Sequence, residues 1–414
     1  MTISFIGLGK LGLPLSTCFG KNGLKVFAID KNEKLIEDLR SGTLSWTESG
    51  IQENLSLSAP NMTYTDSYDC ISETSVSVVL VNTPSNAKDG SFSNIYVEQT
   101  LVEIAKRMRR NHTIILSSTV MPGSILEDFI PLVENISGLS LAKGEFGFAY
   151  VPDFVALGNV IRDFENPDFL VIGCDSEKTF QETKNIYSRI VRNDCPILKR
   201  SLPETELIKV SLNAFITTKI SFANFLGLMA RRMSGDINID NVTSAVGMDK
   251  RIGTRYFSSG VSYGGTCFPR DTWAFIKCAQ KVGLESFHMF ANEKINQLTD
   301  EEWLAEIYRA SKDRVVLLGA SFKPGTAVVT EGLTLKLIPS LLKRNFSIHV
   351  LDDNAEALDN IRSQFPQTDN LHLSHIGSGI PDDSVVLLTI PDKSFVNLDY
   401  SRSVTLDPWN LLRG

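Results

Sequence analysis

Ile3-Ser4-Phe5-Ile6-Gly7-Leu8-Gly9-Lys10-Leu11-Gly12, followed by Lys25-Val26-Phe27-Ala28-Ile29-Asp30, is the stretch from which the fold is read. A short apolar run enters G-x-G-x-x-G, a helical pattern continues to about Asn22, and a second apolar run ends in an acid. Three spaced glycines alone mark only a turn. Between two strands, with a carboxylate closing the second, they mark a dinucleotide site. Gly7 makes the tight turn, Gly9 lets backbone N–H groups approach a pyrophosphate, and Gly12 packs helix against strand. Lys10 and Leu11 lie between them, where the helix begins. Asp30 suits a ribose 2′-OH and repels a 2′-phosphate, so the expected cofactor is NAD rather than NADP. The competing reading is a glycine turn without a ligand.

Outward from this unit the alternation continues. Val76 to Val81 is a buried-strand run ending in Asn82-Thr83-Pro84, and Thr113 to Leu116 is another, ending in Ser117-Ser118-Thr119-Val120-Met121-Pro122-Gly123. Ligands of open parallel sheets sit beyond the carboxyl ends of the strands, which puts Thr83 and Thr119 on the cofactor's side. As isolated threonines they also read as caps or turn residues. Phe146 to Val151 leads to Pro152-Asp153-Phe154, where Asp153 is either an acid–base group or a turn former, and Phe169 to Gly173 is a further strand.

Ser201-Leu202-Pro203-Glu204 has capping-box spacing, so a long helix is expected from here to about Met233. Lys209 and Asn213, four apart, share one of its faces. They form either a pair that stabilises a developing oxyanion or a solvated polar stripe. Further on, Gly264-Gly265-Thr266-Cys267-Phe268-Pro269-Arg270-Asp271 sets a cysteine where a proline can open a helix. A helix N-terminus favours the thiolate, so Cys267 reads as a nucleophile. The bland alternative is a buried structural cysteine behind a glycine turn. A helix around Asp271 to Lys281 and a mixed segment to about Lys312 follow.

From Arg314 a second βαβ pattern starts: strand Val315 to Leu318, helix Leu333 to Arg344, strand Ser347 to Leu351 with Asp352, and a last strand Ser384 to Ile390. It lacks G-x-G-x-x-G and is expected to bind something other than a dinucleotide. The fold class is therefore α/β: two Rossmann-like doubly wound α/β domains joined by a long helix and a helical middle domain. The divisions expected are 1–200, 201–312 and 313–414.

Bulk properties agree. A chain of 414 residues exceeds one ordinary core. A net charge of −7 argues against nucleic acid or an anionic membrane as partner. The six cysteines are scattered with no C-x-x-C pair, so neither zinc nor disulfides are signalled, and reduced thiols in a cytoplasm are expected. His372 and His375 lack companion ligands and read as surface or packing residues. No signal peptide or membrane span is expected.

Together these features resemble the nucleotide-sugar 6-dehydrogenase family. The resemblance covers nearly the whole chain and rests on Gly7 to Gly12, Ser118-Thr119-Val120, Pro152-Asp153-Phe154, Glu206 to Asn213, Asp249 to Gly253, Gly264 to Asp271 and Phe322-Lys323-Pro324. It implies an NAD-binding N-terminal domain, a helical middle domain that commonly makes a homodimer, and a C-terminal domain for the nucleotide sugar. The implied reaction is four-electron oxidation of the sugar's carbon-6 alcohol to a carboxylate by two NAD, with UDP-glucose favoured. The alternatives are a UDP-N-acetylhexosamine or another nucleotide sugar as substrate, a non-catalytic nucleotide-sugar-binding relative, and a two-electron hydroxyacid dehydrogenase, which can share the N-terminal domain and a Lys-x-x-x-Asn helix.

By the same resemblance Cys267 carries a thiohemiacetal and then a thioester, Lys209 and Asn213 steady the oxyanion, and Asp271 with Thr119 positions a water. Thr83 and Arg270 match cofactor contacts. Phe154, Tyr256, Gly260, Gly264, Phe322 and Lys323 match the substrate site, and Arg251 matches an arginine that reaches a neighbouring subunit's substrate. Five positions depart from the family: Asp153 replaces a glutamate, Val151 an asparagine, Leu157 a second glutamate, and Thr330 and Trp409 each an arginine. The lost arginines remove charge-assisted contacts of roughly 1.5–3 kcal/mol each.

Overall fold

A computed structural model describes residues 1–44, 46, 48–85, 92–366 and 368–413. The chain divides into two compact units, Met1–Val210 and Ser211–Gly414. The first runs β1 (Thr2–Ile6), α1 (Gly12–Lys21), β2 (Lys25–Ile29), α2 (Glu33–Arg40), α3 (Ile51–Ser58), β3 (Met62–Thr65), β4 (Val76–Val79), α4 (Ile95–Arg107), β5 (His112–Leu116), α5 (Ile130–Ser137), β6 (Phe146–Tyr150), α6 (Val160–Glu165), β7 (Leu170–Cys174), α7 (Glu177–Tyr187) and β8 (Ile197–Arg200). Helix α8 (Leu202–Arg232) follows, and the division between the units falls within it.

Among the described residues the first sheet has eight strands in the order β3-β2-β1-β4-β5-β6-β7-β8, with only the β6–β7 pairing antiparallel. Strands β4, β5 and β6 are buried at every residue, which is what helices on both faces produce. Polar side chains there are paired inside: the Ser77 hydroxyl of β4 lies 2.7 Å from that of Ser4 in β1, and Ser77 Oγ lies 2.8 Å from His112 Nε2 in β5. Burial pushes the His112 imidazole down to about 4. Strand β1 has β2 on one side and β4 on the other, so the order reverses there, the place where open α/β sheets bind ligands past the strands' carboxyl ends.

Helix α8 starts on the expected capping box. Ser201 N–H donates to Glu204 Oε2 at 2.7 Å and Glu204 N–H to Ser201 Oγ at 3.4 Å. The second unit continues through α9 (Ile239–Gly247), α10 (Phe268–Lys281) and α11 (Phe287–Arg309), then β9 (Arg314–Leu318), α12 (Leu333–Leu342), β10 (Ser347–Asp352), α13 (Ala355–Gln364), β11 (Leu371–His375), β12 (Ser384–Leu388) and β13 (Ser403–Leu406). Its five strands, ordered β11-β10-β9-β12-β13, are all parallel.

Two sequence expectations need correcting. The segment before Lys312, read as mixed, contains one 23-residue helix, α11. Ser384 to Ile390 is not the last strand, because β13 pairs beside it at the edge. His372 lies beside His349 across β10 and β11, ring centroids 4.6 Å apart.

Candidate active site

The candidate residues fall in two groups, one in each unit. In the first unit they gather at the carboxyl ends of the strands. Gly7 takes φ 98°, and a Cβ there would lie 2.2 Å from Leu80 O. A Cβ on Gly12 would lie 1.9 Å from Gly7 O, whereas one on Gly9 meets nothing within 4 Å. The outer glycines are locked by packing and the middle one faces open space, as a pyrophosphate loop requires. Lys10 is exposed and Leu11 half-buried at the N-cap of α1.

Asp30 accepts Leu8 N–H through Oδ2 at 2.7 Å and Asn32 N–H through Oδ1 at 2.9 Å. A carboxylate has about four acceptor sites, so capacity remains for a ribose. The open glycine, the helix N-terminus and this acid together fit NAD.

Thr83 is buried and its hydroxyl donates to Thr119 O at 2.7 Å. Ser118 Oγ accepts from Val81 N–H and donates to Val81 O, both at 2.9 Å. These bonds lace the turn after β4 to the turn after β5. After β6, the Lys209 ammonium donates to Asp153 O at 2.5 Å and lies 5.0 Å from the centre of the Phe154 ring. Lys209 therefore holds Asp153 by its backbone, not by its carboxylate. Asp153 Oδ2 is buried with no hydrogen-bond partner among the described residues. Desolvation pushes this carboxyl up to about 7, against the smaller opposing pull of Lys209.

In the second unit Cys267 is the N-cap of α10, exposed, with its Sγ 3.7 Å from Thr266 Oγ1. Asp271 is fully buried. It accepts from Asn213 Nδ2 at 2.5 Å and from Arg270 Nε at 3.1 Å, and its N–H donates to Cys267 O at 2.8 Å. The carboxylate thus ties Asn213 of α8 to Arg270, while the residue's own N–H closes the first turn of α10 on Cys267.

The glycine run before Cys267 is pressed from behind. A Cβ on Gly260 would meet the Trp409 ring at 2.5 Å, one on Gly264 would meet Glu331 O at 2.1 Å, and one on Gly265 the Phe322 ring at 2.6 Å. Tyr256 is exposed at φ 59°, its ring 6.0 Å from that of Phe268, and Lys323 Nζ lies 5.7 Å from the Phe322 centroid. Arg251 stands apart, exposed and bonded to Asp249.

The departures have structural counterparts. Val151 is fully buried in the core and Leu157 packs against it. Thr330 offers its carbonyl to Gly265 N–H at 3.0 Å, and Trp409 fills the space over Gly260 while its Nε1 donates to Leu388 O at 3.2 Å.

Sequence reading missed the residues that pin the glycine run. Asn224 accepts from Gly260 N–H at 2.9 Å and donates to Val261 O at 2.8 Å. Asn296 does the same for Tyr263 N–H and O at 2.8 and 3.1 Å, and Trp303 Nε1 donates to Gly260 O at 3.0 Å. A signal existed: asparagine is a poor residue for a helix interior, so two of them inside α8 and α11 imply side-chain work. Among the described residues no helix is long and apolar enough to cross a membrane, and no His/Cys/Asp/Glu group has a metal-holding arrangement.

Two family models match the chain. The NAD-binding domain of the UDP-glucose/GDP-mannose dehydrogenase family matches residues 1–191, and that family's central domain matches 203–298. A UDP-glucose 6-dehydrogenase from Pseudomonas aeruginosa is 31% identical over 94% of this chain and 87% of its own. A GDP-mannose 6-dehydrogenase from Pseudomonas syringae pv. syringae is 29% identical over 95% and 92%. The solved structure of a UDP-glucose dehydrogenase from Pyrobaculum islandicum superposes with a TM-score of 0.89 at 29% identity, covering 100% of this chain and 95% of that one.

Proposed function

The chain belongs to the UDP-glucose/GDP-mannose dehydrogenase family of NAD-dependent nucleotide-sugar 6-dehydrogenases, and on that premise we propose that it oxidises UDP-glucose to UDP-glucuronate through a thioester on Cys267. The observation that carries the thioester is the cysteine itself. Of six cysteines Cys267 alone is exposed, and it stands at the N-terminus of α10.

Bound NAD supplies the hydride acceptor, one molecule for each two-electron step. In the first step the carbon-6 alcohol loses a proton and a hydride and becomes an aldehyde. Asp153, its carboxyl close to half-ionised at neutral pH, suits the proton's removal through a water. The Cys267 thiol then adds to the aldehyde carbon and gives a thiohemiacetal, whose oxygen Lys209 and Asn213 steady. Loss of the hydroxyl proton and of the second hydride leaves a thioester, and a water positioned by Asp271 and Thr119 opens it to carboxylate and free thiol. Arg270 and Thr83 serve the cofactor. Phe154, Tyr256, Gly260, Gly264, Phe322 and Lys323 serve the sugar nucleotide.

In this reading residues 1–200 hold NAD, 201–312 carry the cysteine and the dimer contact, and 313–414 hold the nucleotide. The dimer forms on α8, where Phe215, Phe222, Phe225 and Met229 stand exposed at helical spacing on one face. Arg251 then reaches the partner's substrate. A reducing compartment such as the cytoplasm keeps Cys267 free.

A panel of UDP-glucose, GDP-mannose and a UDP-N-acetylhexosamine with purified protein and NAD tests the reaction. Two NADH per UDP-glucose consumed is the expected yield, with the other sugars much slower. One NADH with free aldehyde accumulating would sink the thioester, and preference for another sugar would sink the substrate.

A further inference from the structure

Glu206 lies in the second turn of α8 and is fully buried. Its Oε2 accepts Gly123 N–H and its Oε1 accepts Ile125 N–H, both at 3.0 Å. Those amides open the helical segment that begins as a π-turn at Ile125–Phe129 and continues into α5. First-turn amides have no partner within their own helix and form its positive end, so they suit a carboxylate. A serine or asparagine at the segment's own cap would satisfy the donors locally. A carboxylate reaching from another helix, with both oxygens engaged, also fixes the distance and direction between that helix and the turn.

The turn so held is the one that carries Thr119, and its other side is tied by Thr83 and Ser118. Three residues along α8, Lys209 grips the turn after β6 through Asp153 O. One stretch of helix therefore holds the turns after two neighbouring strands.

We propose that Glu206 is a positioning residue that holds Thr119 in register with Lys209, acting through the Gly123 and Ile125 amides and touching neither cofactor nor sugar. The assignment of Thr119 and Lys209 to the reaction rests on the function proposed above. The register itself is a property of the first unit.

Glu206→Gln keeps one acceptor and turns a donor toward the other amide. The test combines it with Thr119→Ala in a double-mutant cycle on the full chain, reading NAD affinity by calorimetry and kcat and KM with UDP-glucose. Glu206→Gln is expected to lower kcat roughly tenfold to a hundredfold while KM for the sugar stays within about twofold. It is expected to weaken NAD about threefold or more, and to add little once Thr119 is alanine.

A folded Glu206→Gln protein with unchanged kcat and NAD affinity overturns the proposal, as does a loss fully additive with that of Thr119→Ala. If the glutamine variant does not fold, Glu206→Asp is read by the same criteria. Failure of both to fold assigns Glu206 to stability alone and also overturns it. Should wild-type protein reduce no NAD with any nucleotide sugar, the functional reading fails, while the NAD-affinity cycle still decides the role of Glu206.

Discussion

Asp153 follows β6 with a carboxyl oxygen buried and unpartnered among the described residues. Its carboxyl rises from the ordinary 3.8 to about 7 because burial penalises the charged form. Between those values the folded chain holds a proton that the unfolded chain has released, so this residue lowers stability as pH rises through that window. Asp153→Asn removes the dependence. Relative to wild type, it should gain about 2–3 kcal/mol in unfolding free energy between pH 5 and pH 8, from two pKa units at about 1.4 kcal/mol each. Urea unfolding at the two pH values checks this, and parallel curves would mean the carboxyl is not raised. The same variant should lose the rise of kcat through pH 7 if Asp153 takes the proton. Cys267→Ala separates the sulfur's role from the first oxidation: acid formation should disappear while sugar binding, read by calorimetry, persists.

At the scale of elements, the glycine run depends on helices remote from it in sequence. Asn224→Ala leaves Gly260 N–H and Val261 O without their side-chain partner, and buried orphans cost about 1–3 kcal/mol each. The expected result is a lower melting temperature together with a raised KM for the nucleotide sugar; a drop in stability with unchanged KM would separate the loop from substrate binding. On the other face of α8, Phe222→Glu with Phe225→Glu should turn a dimer into a monomer in sedimentation, and a wild-type monomer would remove that assembly.

Elements with a one-sided or unbroken apolar pattern were legible. The strand–glycine–helix–strand opening, the Ser201/Glu204 box and the inner strands of both sheets were read where they lie. The outer strands were not. β3, β8, β11 and β13 are edge strands with partly exposed, polar faces, so nothing in their composition sets them apart from loops. Helix α11 escaped because its buried face carries Asn292, Asn296, Thr299 and Glu302 beside Met289, Trp303 and Ile307. Side-chain hydrogen bonding there replaces the apolar repeat that sequence reading relies on. For the site, the residue types were legible, whereas their tethers were not: that Lys209 grips a carbonyl and Asp271 joins α10 to α8 depends on contacts 56 and 58 residues apart.

In the whole molecule two Rossmann-like units, each with its own buried core, divide the ligands between them in the proposed reading. Gly12→Ala sets a methyl 1.9 Å from Gly7 O and so must distort the loop under the pyrophosphate. In thermal unfolding it should lose the stabilisation NAD gives, about 2.7 kcal/mol at a hundred times the dissociation constant for an intact site, yet keep that given by UDP-glucose. Loss of both responses would contradict the division.

The acid after β2 leads to a last consequence. Asp30 Oδ2 accepts Leu8 N–H at 2.7 Å, and in the other unit Asp352 Oδ2 accepts Ala320 N–H at the same 2.7 Å, although no G-x-G-x-x-G follows there. The aspartate is a clasp on the loop after the first strand of each sheet before it is a ribose partner. Coenzyme engineering of this enzyme therefore cannot treat position 30 as a selectivity dial alone. Exchanging Asp30 for a small neutral residue to admit a 2′-phosphate unfastens Leu8 at the same stroke, so a redesign toward NADP has to install a substitute tether before it adds a positive charge.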